Sequence, residues 1–333
     1  MKPLSLLACV GCLLAGCGDL TRPLDDRATG MSANLAPPAG PPPEWTLHEP
    51  GFQANVAATG LSNAQGVVRL GRGMLLATEW FGPDFMETAP RVSRVLPTGQ
   101  IAAFADIPGS FPPRLSIVDL VHAPAQGFFT SLIFLGKIFR VTADGAVEEY
   151  VTIPAAPTFL AFDSHGRLHV NQILGDVIRV ESDRTLTTVV DANPATTRLR
   201  GITFDAAGDL HVVVEEDRTT IPRTTIRRFD VDAASSLPIP LAMGTLITDA
   251  LPVSPPNEPL QDLVLWPAGG GDLFTVDAQN VYRVRADGTV SVFISGLVRG
   301  TTRLAVNALA LSASGELLVT EFPIGRITEV RRH

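Results

Sequence analysis

Lysine is nearly missing from this chain: Lys2 and Lys137 are the two copies in 333 residues, and nowhere do Lys and Arg form a run. With 26 basic against 34 acidic residues and a net charge of −8, the electrostatic footprint of a nucleic-acid-binding protein is lacking. Schiff-base chemistry is left with one lysine beyond the extreme N-terminus. Cysteine is confined to Cys9, Cys12 and Cys17. Charged residues make up only 18% against 45% hydrophobic, which excludes a disordered chain of high charge and low hydrophobicity. No stretch of useful length shows 3.6-residue periodicity, so helical repeats are excluded. A Walker loop, a dinucleotide fingerprint and a Gly-x-Ser-x-Gly elbow are all absent from the sequence.

The one long apolar run lies at the start. Lys2 is followed by Leu4 to Ala15, too short to span a bilayer and of the length of a secretory h-region. It ends in Leu14-Ala15-Gly16-Cys17, a branched residue and two small ones before a Cys. This resembles the lipobox of bacterial lipoproteins. The resemblance implies a signal peptide over 1–16, an acylated Cys17 as mature N-terminus, export through the inner membrane and lipid anchorage in the cell envelope. Gly18 stands where an inner-membrane retention signal would place Asp, which favours the outer membrane. Cys9 and Cys12 would leave with the signal, so no disulfide remains to form, and the mature chain keeps 25 basic against 34 acidic residues, a charge of −9. No later stretch offers 18 apolar residues in a row, leaving lipid as the membrane contact. Residues 17–45 carry Pro23, Pro37, Pro38, Pro41, Pro42 and Pro43 and read as a semi-rigid tether reaching roughly 30 to 60 Å.

Residues 46–333 repeat. A short apolar strand, a turn ending in Gly and a second apolar strand recur six times, anchored at Gly73, Gly127, Gly166, Gly208, Gly271 and Gly315, in steps of 54, 39, 42, 63 and 44 residues. A third strand with an Arg-apolar signature follows each anchor (Arg94, Arg140, Arg179, Arg228, Arg283, with Glu329 in the last unit), then a turn such as Asp144-Gly145 and an alternating fourth strand. Four antiparallel strands per unit describe a β-propeller blade. The sixth unit ends at His333 after its third strand, and Gly51 to Val56 match the missing fourth strand. The expected fold is therefore all-β: a six-bladed propeller closed by an N-terminal strand. The long steps place insertions near Phe81 to Arg91 and around Ala233 to Pro259.

Units such as Gly201-Ile-Thr-Phe-Asp-Ala-Ala-Gly-Asp-Leu-His-Val212 resemble those of the six-bladed NHL, gluconolactonase (SMP-30-like) and strictosidine-synthase-like superfamily, over about 280 residues. The resemblance specifies architecture. Its members include calcium-dependent lactonases, fluorophosphatases and paraoxonases, as well as lyases and plain binding modules.

Stepping back eight residues from each anchor, or nine in the fifth unit, gives Gln65, Asp119, Thr158, Arg200, Asp262 and Asn307. Each starts an inner strand, so the six should ring the mouth of the central channel above an apolar wall, as a small-ligand site needs. Asp119, Asp262, Asn307 and Gln65 supply oxygen donors for a hard cation such as calcium, in kind with the superfamily's enzymes. The ring lacks their Glu and carries Arg200, which could pair with Asp119 or Asp262, or bind an anion bidentately. Three readings stay open: a metal, an ion-paired structural ring, or an anion or sugar-acid site. Glu79, Gln172, Asp277 and Glu321 form a second polar set at the ends of second strands, either clustered carboxylates or blade-edge acids bonded to backbone and Arg. Glu215, Glu216 and Asp217 read as a solvated acidic loop. His122 is the candidate general base, although three strand positions from Asp119 turn it to the opposite side, and His169 and His211 read as packed structural residues.

Two functions follow. One is a monomeric, envelope-tethered module binding a small ligand, glycan or protein through the propeller face. The other is a calcium-dependent lactonase or esterase at the channel mouth.

Overall fold

The computed structural model describes residues 45–79, 90–108, 117–172, 175–193, 195–216, 223–251, 260–267, 271–298, 307–312 and 314–333. The signal peptide, Cys17 and nearly all of the tether lie outside them, as do residues 81–89 of the first expected insertion and 252–259 of the second. What is described is a six-bladed β-propeller with short 3-10 turns and four antiparallel strands per blade. Among these residues no helix is long and apolar enough to cross a membrane.

In chain order the innermost strands of blades 1 to 6 are Val67–Arg69, Ile117–Ala123, Pro157–Phe162, Thr197–Phe204, Leu263–Trp266 and Ala308–Leu311, and each touches its two neighbours in cyclic order. These strands wall the channel. Second strands pair antiparallel behind them: Leu75–Glu79, Gly127–Leu132, Leu168–Gln172, Leu210–Glu216, Asp272–Val276 and Leu317–Glu321. All six anchor glycines sit at the turn into the second strand with φ between 74° and 102°, a left-handed conformation that costs side-chain-bearing residues about 1 kcal/mol or more. The recurring Gly is thus a backbone requirement of the hairpin.

The outer strand of blade 6 is Phe52–Ala58, antiparallel to Arg326–Arg332 with Phe52 opposite Arg332 and Asn55 opposite Glu329. Two blades gain a fifth strand. Thr46–Leu47 lies antiparallel on the outer strand of blade 5 (Val290–Ser295), and Ile239–Pro240, from the long fourth-blade connection, runs parallel to the outer strand of blade 3 (Leu186–Asp191). Both cover hydrogen-bonding edges that would otherwise be open to another chain.

The cores lie between blades, because each sheet buries both faces against its neighbours. Between blades 5 and 6, Trp266, Phe274 and Phe293 are fully buried and meet Phe52 of the N-terminal strand. Phe52 stands 5.4 Å from Trp266 and 5.1 Å from Phe293, edge to face with the latter. Burying each such ring is worth roughly 1.5–3 kcal/mol, so the N-terminal strand is held by apolar contact as well as by its ladder.

Candidate functional site

The six expected ring residues all occur at the start of the innermost strands, and all are buried, from fully for Gln65 to 7% exposed for Asp119 and Arg200. In blades 2, 3 and 4 the strand register slips at this point, between Ile117 and Leu120, Pro157 and Leu160, and Leu199 and Ile202. Such bulges re-aim a side chain away from the regular pleat. Threonines of the second strands brace the same segment: Thr130 Oγ1 donates to Asp119 O (2.6 Å), and Thr275 Oγ1 to Asp262 O (2.7 Å).

The carboxylates turn sideways into the backbone. Asp119 Oδ1 accepts the N–H of Leu120 at 2.7 Å, while Oδ2 accepts that of Leu160 in blade 3 at 2.8 Å. Asp262, three blades away and so opposite in the ring, does the same with Leu263 (2.7 Å) and with Leu309 of blade 6 (2.8 Å). Each therefore ties two blades together. A glycine of the preceding blade backs each acid: a Cβ on Gly66 would lie 2.3 Å from Leu120 N, and one on Gly201 2.3 Å from Leu263 N. Burial pushes the Asp119 carboxyl up to about 6 against the two amides that favour its charge, and Asp262 is raised well above the carboxylate range by burial and then by the charge of Asp119.

The other members are also held. Arg200 Nη2 reaches Glu215 Oε2 at 3.0 Å within its own blade. Thr158 Oγ1 donates to Asn171 Oδ1 at 2.6 Å. Asn307 donates Nδ2 to the carbonyls of Asp277 (3.3 Å) and Ala278 (3.1 Å) in blade 5, and its Oδ1 accepts Phe322 N–H at 3.2 Å. Gln65 N–H bonds Thr78 O at 3.3 Å.

The ends of the second strands hold buried acids at the same end of the channel. Glu79 accepts from Ser62 N–H (2.7 Å) and meets Arg91; Asp277 accepts Tyr282 O–H at 2.8 Å and the amides of Gln279 and Asn280; Glu321 pairs with Arg326 and accepts Val298 N–H at 3.0 Å. Gln172 closes a turn with Asp176 O through its own N–H. These are acids bonded to backbone and Arg, the second of the two expectations. Glu215 corrects the sequence reading: it is 4% exposed and ion-paired, because the second strand of blade 4 extends through Glu216. The signal lay in its spacing, seven residues after Gly208, where Glu79 and Glu321 stand six after their own anchors. Glu216 follows on the same strand, half-buried, and Asp217 lies outside the described residues.

The histidines occupy different settings. His122 is exposed and stacks on Phe128 at 4.8 Å, toward the other end of its strand from Asp119. Buried His169 is driven down to about 4 by desolvation, and His211 bonds Asp205 at 3.0 Å.

Calcium takes about six to eight oxygen ligands. Of the expected donors, all four carboxylate oxygens and Asn307 Oδ1 already receive backbone N–H bonds. Among the described residues no three His, Cys, Asp or Glu side chains converge on a common point. The donor set as built does not fit a calcium centre.

By sequence, no protein-family model and no curated protein matches the chain. Solved structures do match by fold. A gluconolactonase from Xanthomonas campestris aligns with a TM-score of 0.61 at 13% identity, over 85% of this chain and 90% of that one. The pyrroloquinoline quinone domain of a pyranose dehydrogenase from Coprinopsis cinerea aligns at 0.60 and 11%, over 89% and 100%, and virginiamycin B lyase from Staphylococcus aureus at 0.52 and 14%, over 85% and 100%. At these identities what is shared is the six-bladed fold.

Proposed function

We propose that this chain is an envelope-tethered binding module, anchored by lipid at Cys17, whose propeller presents a face to a small ligand, glycan or protein partner. The observation that carries this reading is the bonding of Asp119 and Asp262. Their oxygens join the inner strands of adjacent blades, so the ring acts as a fastening around the channel. Recognition then falls to the rest of the propeller face and its long connections, the usual carriers of specificity on a repeat scaffold.

A second reading, hydrolysis of lactones or esters at the channel mouth, draws support from two buried acids on opposite blades and from the fold shared with a gluconolactonase. The test is lactone turnover by the purified protein with calcium and with excess chelator, together with its metal content. Background rates and less than about 0.1 calcium per chain are the expected result. Chelator-sensitive turnover abolished by Asp262→Asn would replace the binding module with the hydrolase. Lipidation is tested by metabolic labelling with a fatty acid, which Cys17→Ser should abolish.

A further inference from the structure

A cavity of about 490 Å³ opens between blades 1 and 6 at the opposite end of the inner strands from the ring, lined in part by Arg69, Gly71, Gly73, Ser314, Glu316 and Arg331. Its size is that of a small-molecule site. Two guanidinium groups and two carboxylates meet there. Arg69 Nη2 pairs with Glu329, as does Arg331 Nε, while Glu316 accepts the hydroxyls of Ser312 and, at 2.6 Å, Ser314. The acids are therefore supplied with donors, and guanidinium N–H groups are left over. Arg69 Nη1 and Arg331 Nε each stand 3.8 Å from Glu316, ion-paired with it but beyond hydrogen-bond reach. The Nε of Arg69 is sealed without a partner in a side chain only 11% exposed. Both Nη groups of Arg331 lack a hydrogen bond among the described residues, and that side chain is 54% exposed.

A site with surplus planar N–H donors, whose carboxylates are already engaged, selects an anion over a cation, and a planar carboxylate matches a guanidinium edge with two parallel bonds. We propose that the cavity between the first and last blades binds a small organic carboxylate, held by Arg331 and Arg69. Two exposed glycines of the lining leave room beside it: a Cβ on Gly71 would meet no atom within 4 Å, and one on Gly73 only Pro97 at 3.9 Å. Because Arg69 belongs to blade 1 and Arg331 and Ser314 to blade 6, a bound ligand bridges the seam at which the propeller closes, and occupancy should raise the unfolding temperature.

The test is thermal unfolding of the full-length protein in detergent with D-galacturonate, against D-galactose and an equal concentration of sodium chloride. Galacturonate in the millimolar range should raise the midpoint by about 2 °C or more, and the neutral sugar and the salt should not. Two variants should remove the shift by different means: Arg331→Gln takes away the exposed donors, and Gly71→Trp fills the cavity with both arginines in place. No saturable shift in the wild type, an equal shift with galactose, or a shift that survives in either folded variant would overturn the proposal.

Discussion

If Asp119 is held protonated by burial, its contribution to stability must run against that of an ordinary carboxylate. Its folded-state pKa is raised from 3.8 to about 6. The folded protein then binds the proton more tightly than the unfolded chain, so the stabilisation is complete below pH 4 and is lost as pH rises to about 6 and beyond. That displacement amounts to about 3 kcal/mol, roughly two-thirds of which falls between pH 4.5 and 7.5. Other carboxylates act in reverse, since Asp163, Asp205 and Glu316 are lowered by hydrogen bonds and by Arg or His partners, so the wild-type profile alone mixes both signs. Asp119→Asn removes the first and, with it, the charge that helps raise Asp262, which acts in the same direction. The neutral amide is uncharged like the protonated acid, but its NH2 cannot accept one of the two backbone N–H bonds, a pH-independent cost, so variant and wild type should differ by a constant at low pH. As pH rises the variant should gain about 2 kcal/mol on the wild type between pH 4.5 and 7.5, measured by urea unfolding at each pH. Asp262→Asn should move the same way, because burial and the Asp119 charge raise it too. A variant that falls progressively behind the wild type as pH increases would show that the two amide bonds outweigh burial, and the argument would fail.

Breaking the buried Arg200–Glu215 pair from one side should be severe: Arg200→Ala strands a carboxylate that is 4% exposed and should reduce unfolding free energy by about 3–5 kcal/mol, whereas the double replacement Arg200→Met with Glu215→Leu should recover most of the loss in the same urea assay. Gly66→Ala and Gly201→Ala each drive a Cβ to within 2.3 Å of the next blade's backbone, so each should lose about 1–3 kcal/mol or fail to fold, and Gly71→Ala should leave the urea midpoint unchanged. His122→Ala removes an exposed ring stacked on Phe128 and should alter stability by less than about 1 kcal/mol; a larger loss would give that histidine a structural role.

The propeller was legible because its hairpins depend on one backbone demand repeated six times. A left-handed residue is needed at the turn between first and second strands, Gly meets it most cheaply, and so Gly73, Gly127, Gly166, Gly208, Gly271 and Gly315 mark the period whatever happens to the side chains around them. Counting back from that fixed point reaches the start of each inner strand, which is why spacing places all six residues there. Their bonding was not legible, for a geometric reason. A strand that bulges between Ile117 and Leu120 no longer alternates faces there, so position does not reveal whether Asp119 aims along the channel or across to Leu160 N–H. The same uncertainty hid Glu215, where a strand two residues longer turned an acidic run into an ion pair. An aspartate that fastens two blades and one that ligates a cation occupy the same place in the repeat. Only the direction of their oxygens separates the two, and here that direction is set by the amides of Leu160 and Leu309 in the neighbouring blades. Activity on this scaffold therefore turns on local departures from the repeat, while the repeat itself is what a single sequence displays.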